Sequence, residues 1–257
     1  MKFTTLIENG PSEYLKYEHG LSFWIEFENK TYLLDAGTTS AFMDNAKQMH
    51  LDISKPNACI LSHGHNDHGG GFVEYLTQYP NNFIYMKEEA LEKHYSNSHD
   101  HFHEISIDAS LRNHARFIQE TVQIEKNVYI IPDDPIKPSS SSLLYTKKGE
   151  EIVQDTFDHE LSLVFDTQKG LIVFNSCSHA RFEGILPKIK ALFHKPIYAY
   201  IGGLHLKDSH LSDEQYKILS LYIKEHIPYL YTGHCTGEIA CQKLPIHKLE
   251  IGKTIEL

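Results

Sequence analysis

At 257 residues with a hydrophobic fraction of 41%, the chain can bury a sizeable core, as one large domain or two small ones. A formal net charge of −10 argues against nucleic acid as its main partner, because phosphate contacts need clustered Lys and Arg. No apolar run approaches the ~18 residues of a membrane helix, and MKFTTLIENG lacks the pattern of a secretory signal, so the expected location is the cytoplasm.

In chain order, strand-like and helix-like segments alternate. Leu21, Phe23, Ile25 and Phe27 alternate with Ser22, Trp24, Glu26 and Glu28, which predicts a half-buried strand. Lys30–Asp35 forms a second strand after a hairpin turn at 28–30. Ser40–Met49 reads as a helix and Asn57–Ser62 as a short buried strand. Asp67–Gln78 is predicted as one helix closed by Tyr79-Pro80, and Asn82–Met86 as a strand. Residues 88–126 show no clear apolar period and read as an insertion, a candidate lid. Pro135–Pro138 and Ser139–Ser142 make a loop. Leu161–Asp166 and Leu171–Asn175 pair through a turn at 167–170, and Phe182, Ile185, Leu186, Ile189, Leu192 and Phe193 follow at helical spacing. Pro196–Ile201 is a strand. Ser212 and Gln215 form a capping box for a helix reaching His226. Strands at Pro228–Thr232 and His247–Ile251 flank a short helix at Gly237–Lys243. These elements predict a single α/β domain over 1–257, with two sheets covered by outer helices.

Cys59, Cys177, Cys235 and Cys241 form no CxxC pair and read as free thiols of a reducing compartment. The 18 histidines are clustered. His63-Gly-His65-Asn-Asp67-His68 follows a buried strand directly, so four donors gather within six residues at a strand end. One ion can take the first pair and a second the other, ~3.5–4 Å away. Imidazole and carboxylate donors suit zinc, with manganese and iron(II) as further options. Gly69-Gly70-Gly71 is expected to leave room for a substrate.

The segment SHGHNDHGGG resembles the HxHxDH motif of the metallo-β-lactamase superfamily, and the other landmarks fall in that family's order between residues 20 and 240. They are Leu33–Gly37, Asn175–His179, Gly202–His205 and Thr232–Gly237, each at a strand end. The resemblance implies a four-layer αββα sandwich and a metal-dependent hydrolase of a small molecule, with two divalent ions. It implies His63, His65, Asp67, His68, His179 and His234 as ligands, and Asp35 as a residue that orients the ligand loop. Asp67 is also assigned to steering the attacking hydroxide. His205 is read as a proton donor or substrate-anion binder, with a ligand role as the alternative. The family's metal-bridging aspartate has no counterpart in Ser176-Cys177-Ser178-His179. His159, Cys177 and His205 are the candidates to stand in for it, although Cys177 also suits a small buried filler and His159 a strand-start residue. The CSHA and GGLHL pair is similar to the subgroup related to dihydropterin and ribofuranosylaminobenzene phosphate synthases. The leading expectation is therefore hydrolysis of an ester or phosphoester in a phosphate-bearing metabolite, by a hydroxide activated between two ions. A pterin- or phosphoribosyl-linked synthase and a di-iron redox enzyme are the alternatives. His99, His101 and His103 read as a solvated loop.

Overall fold

A computed structural model describes residues 1–98, 101–137 and 143–257. His99, Pro138 and Ser139–Ser142 of the segments read above lie outside the described residues. The chain forms two compact units. The first comprises Met1–Gln119, Pro135–Glu160 and Ile251–Leu257, and the second Glu120–Asp134 and Leu161–Glu250.

The first unit holds a seven-stranded sheet in the order β18-β1-β2-β3-β4-β5-β8. Its strands are β1 (Lys2–Ile7), β2 (Ser22–Phe27), β3 (Lys30–Leu34), β4 (Ala58–Ile60), β5 (Ile84–Met86), β8 (Ala115–Phe117) and β18 (Thr254–Glu256). From β18 to β3 the neighbours are antiparallel, and from β3 to β8 they are parallel. The alternation read in β2 is only partly expressed: both faces are covered and Glu26 alone is exposed. Ser22 tolerates this because its hydroxyl donates to the Asp35 carbonyl at 2.8 Å. Helix α1 (Ala41–Gln48) packs Phe42 and Ala46 into a core with Leu6, Leu33, Leu61, Phe72 and Tyr75.

The helix expected over 67–78 is broken into α2 (Asn66–Gly69) and α3 (Phe72–Gln78). The glycines at the break do not open a space for substrate. A side chain at Gly70 would strike the Thr38 carbonyl, and one at Gly71 the Ala36 and Thr39 carbonyls. They let the chain's own backbone pack closely, and Ala36 N donates to the His68 carbonyl at 2.7 Å.

The stretch 88–126 is more regular than its composition suggests. β6 (His94–Ser98) and β7 (His101–Glu104) join β11 (Leu144–Lys148) and β12 (Glu151–Gln154) in a four-stranded antiparallel sheet, order β12-β11-β6-β7. His101 and His103 stand on β7, not on a loop, with rings stacked at 5.2 Å.

The second unit holds the other seven-stranded sheet, order β17-β16-β15-β14-β13-β10-β9. It runs antiparallel through β9 (Val122–Glu125), β10 (Val128–Pro132), β13 (Leu161–Thr167) and β14 (Gly170–Phe174). It then runs parallel through β15 (Ile197–Ile201), β16 (Tyr229–Thr232) and β17 (His247–Lys248). β14 is buried along its whole length, the pattern of a strand covered on both faces. Three helices complete the unit: α4 (Phe182–Phe193), α5 (Asp213–His226) and α6 (Glu238–Lys243). The Ser212–Gln215 capping box forms in both directions at the start of α5. On α4 the stripe ends at Ile189: Leu192 is exposed, and Phe193 packs edge-on against Tyr129 at 4.8 Å.

Candidate metal centre

Parallel strands deliver their connecting loops to one edge of a sheet, where ligand sites form. In the first unit the loops after β3 and β4 meet there, and Asp35 N donates to the Ile60 carbonyl at 2.9 Å. Asp35 is fully buried at φ +58°, a backbone state that Asp tolerates better than most residues. Its Oδ1 accepts from Ser62 N at 2.8 Å, and its Oδ2 accepts from Ser62 Oγ at 2.7 Å. The same Oδ2 lies 2.8 Å from His68 Nδ1, and a carboxylate can only accept, so that nitrogen carries the proton. Ser62 has spent its single proton on Asp35, so its oxygen accepts from His63 Nδ1 at 2.8 Å. Both rings are thereby fixed with Nε2 as the nitrogen available to an ion.

The four motif donors converge. The His63 ring lies 4.6 Å from His65 and 4.2 Å from His68, and Asp67 Oδ2 lies 3.6 Å from His68 Nε2 and 3.3 Å from His19 Nε2. Burial, with His159 and His94 nearby, holds the His65 pKa well below the ordinary imidazole value. A neutral imidazole is the ligating form, so this donor set fits a divalent ion. Asp35→Ala is expected to lower metal affinity about 10- to 100-fold, the usual effect of removing a partner that orients a ligand, while Asp35→Asn should retain part of it. Isothermal titration with zinc would read the difference, and unchanged affinity in Asp35→Ala would contradict it.

Two residues not found from sequence, His94 and Asp155, complete a second cluster in this unit. Donor atoms of His65, His94, Asp155 and His159 lie within 4.8 Å of one another, all buried. His159 Nδ1 accepts from Gly64 N at 2.9 Å, and Gly64 is the residue between the first two motif histidines. Its Nε2 donates to Asp155 Oδ2 at 3.2 Å, so both ring nitrogens are engaged within the protein. Asp155 also accepts from His94 Nδ1 at 3.0 Å and from Phe157 N at 2.7 Å. Burial opposes its charge, yet His159 and His94 hold the carboxyl far below the usual carboxylate range. The histidine-rich run around His94 and the i, i+4 pair Asp155/His159 were the available sequence signals.

In the second unit, three strand-end loops carry the later motifs. Gly203 N donates to the Ser176 carbonyl at 2.8 Å, Leu204 N to Thr236 Oγ1 at 2.9 Å, and Lys207 N to the Cys235 carbonyl at 3.0 Å. Ser178, Arg181, His205 and His234 all adopt positive φ, a concentration of backbone strain at one sheet edge. His179 is buried with its ring 4.3 Å from that of His205, which is exposed, and His234 is buried. Cys177 is buried, and its donor atom lies within 4.8 Å of those of His205 and Cys235. Burial works against the Cys235 thiolate, but hydrogen bonds with Cys177 and His205 and the nearby His234 carry its pKa well below the thiol value. In the first unit, burial pushes the Cys59 thiol up to about 12.

Asp133 anchors the first of these loops. It accepts from Ser162 Oγ at 3.0 Å and from Asn175 Nδ2 at 2.7 Å, and Asn175 Oδ1 accepts from Ser178 N at 2.6 Å. Burial pushes the Asp133 carboxyl up to about 7, against the opposing effects of Ser162, Lys188 and Asn175. A folded pKa above the unfolded one gives stability that is full below pH ~4 and is lost as pH rises through about 7. Urea midpoints measured from pH 5 to 8 should fall in the wild type and stay flatter in Asp133→Asn. Parallel profiles would contradict this.

A profile of the Metallo-beta-lactamase superfamily matches residues 16–158, and the chain belongs to this family of metal-dependent proteins. It is similar to the 7,8-dihydropterin-6-methyl-4-(beta-D-ribofuranosyl)-aminobenzene-5'-phosphate synthase of Methanocaldococcus jannaschii, 27% identical, with 86% of this chain and 81% of the relative covered. A crystallised metal-dependent hydrolase of the beta-lactamase superfamily superposes with a TM-score of 0.85 at 26% identity, covering 100% of this chain and 99% of that one. Zn(2+)-bound PqqB from Methylobacterium extorquens shares the fold at a TM-score of 0.60 and 12% identity, each chain covered in full. The mixed α/β class read from sequence is the one the chain has. No helix among the described residues is long and apolar enough to cross a membrane.

Proposed function

We propose that this protein is a metal-dependent hydrolase acting on an ester or phosphoester bond of a small, phosphate-bearing metabolite. The observation that carries this reading is the convergence of His63, His65, Asp67 and His68, with the first and last rings locked by Ser62 and Asp35. These four residues are the proposed core ligands of two divalent ions, with zinc first and manganese or iron as options. His179 and His234 join the proposed set on the order of the sequence motifs. Bound ions would supply Lewis-acid polarisation of the scissile group and a lowered pKa for water. Asp67, whose carboxylate also faces His19, is assigned to steering the attacking hydroxide. His205, exposed and held at φ +48°, is assigned to protonating the leaving group or holding the substrate anion. Cys59, Cys177, Cys235 and Cys241, read as thiols, suit a reducing compartment, and a cytoplasmic location is proposed on that ground.

A second reading, a pterin- or phosphoribosyl-linked synthase, is favoured by the Methanocaldococcus jannaschii relative. Turnover of zinc- or manganese-loaded protein on phosphomonoesters, phosphodiesters and carboxylic esters would decide between them. Hydrolysis of one class supports the first reading. Inertness toward all three, with a new product from a phosphoribosyl donor and an aromatic amine, would replace it by the second.

A further inference from the structure

We propose that Cys177, His205 and Cys235 form a binding site for a thiophilic divalent cation of the zinc class, built within the second unit. Their donor atoms lie within 4.8 Å of one another, the spacing from which three ligands can close on one ion. The three residues come from three successive loops, after β14, β15 and β16, at the C-terminal edge of parallel strands. The loop ties from Gly203 to Ser176 and from Lys207 to Cys235 hold them together. Cys235 Sγ approaches the Cys177 carbonyl at 3.6 Å, and it reaches that position across Gly203, where any side chain would collide with the sulfur. Cys177 and Cys235 are buried, so both thiols are shielded from bulk solvent, while the exposed His205 gives an ion a way in.

The chemistry of the set is specific. Two thiolates and one neutral imidazole balance a divalent charge, and soft sulfur donors select zinc over magnesium or calcium. Binding releases the two thiol protons to solvent. Three protein ligands leave a fourth tetrahedral position open to an exchangeable group. The set shares no residue with the His63–His68 loop. It rests on the proposed reaction only in placing this edge beside the substrate: His205 here takes its alternative role as a ligand, and the ion's open position, not a proton on the imidazole, would meet the substrate anion.

Cobalt(II) titration of the full-length protein tests this, because thiolate ligation gives a charge-transfer band in the near ultraviolet that histidine ligation does not. The band is expected in the wild type, lost in Cys177→Ser and in Cys235→Ser, and retained in a His63→Ala/His68→Ala double variant. Its survival in that double variant separates this site from the histidine centre, so either can fail alone. His205→Ala changes an exposed residue and should keep the fold, while weakening cobalt binding at least about tenfold. Three results would each overturn the proposal: no band in the wild type, a band that persists in both serine variants, or Cys177 and Cys235 found joined as a disulfide in the unreduced protein.

Discussion

His65→Ala and Asp67→Ala are each expected to abolish turnover, by about a thousandfold or more, which corresponds to ~4 kcal/mol of lost transition-state stabilisation, while the chain stays folded. His65 is buried between the His63 ring at 4.6 Å and the His159 ring at 5.4 Å, and its pKa is held low, so it would meet an ion as a neutral donor. His159 cannot take its place, because it is engaged by Gly64 and Asp155 through both nitrogens. Asp67 is different in kind. It is partly exposed, and its carboxylate lies against His19 and His68, so its loss should leave packing almost unchanged and act on chemistry alone. Steady-state kinetics with circular dichroism on the same samples would check both. Full turnover in either variant would remove that residue from the site.

Asp155→Ala is expected to cost about 3–5 kcal/mol of stability, the range for breaking a buried charged network. The aspartate is the shared acceptor for Phe157 N, His94 Nδ1 and His159 Nε2, and all three donors would be left without it in a region closed to water. His94 already carries a buried Nε2 with no hydrogen-bond partner, so the cluster has little slack. The loss also reaches the His63–His68 loop. Once Asp155 no longer holds the proton on His159 Nε2, the lone pair that accepts from Gly64 N is no longer fixed, and the backbone between His63 and His65 loosens. Gly64 cannot be bridged by a larger residue, since an added Cβ would lie 2.5 Å from the Ala90 carbonyl and 2.6 Å from His94 Nε2. Urea unfolding of Asp155→Ala, with Asp155→Asn expected in between, measures the cost. A change below about 1 kcal/mol would show that the network is dispensable.

What could be read in the sequence was what is local along the chain. The motif at 63–68 compresses four donors into six residues, and the strand before it is a plain apolar run, so the core of the proposed site could be named without coordinates. Asp35 was found because its motif sits at a strand end, but its bonds to Ser62 and His68 depend on β3 and β4 being parallel neighbours. The link from His159 to Gly64 joins residues 95 apart in sequence, and nothing in the run DHELSL indicates it. His94 was hidden in a polar stretch whose strand period is obscured by pairing with β7 and β11 in a separate small sheet. The glycine triplet misled because glycine marks close approach without saying of what: at Gly70 and Gly71 it is protein backbone. Cys235 passed as a solitary thiol, since its nearness to Cys177 arises only when the loops after β14 and β16 are laid along one sheet edge.

The most direct measurement is metal content by mass spectrometry on protein purified without chelator, comparing the wild type with a His63→Ala/His65→Ala double variant. Two or more zinc or manganese ions per chain in the wild type, and at least one fewer in the variant, is the expected result. A wild type with only a trace of metal and no uptake on adding it back, or a variant that retains the full complement, would contradict a metal centre at the His63–His68 loop.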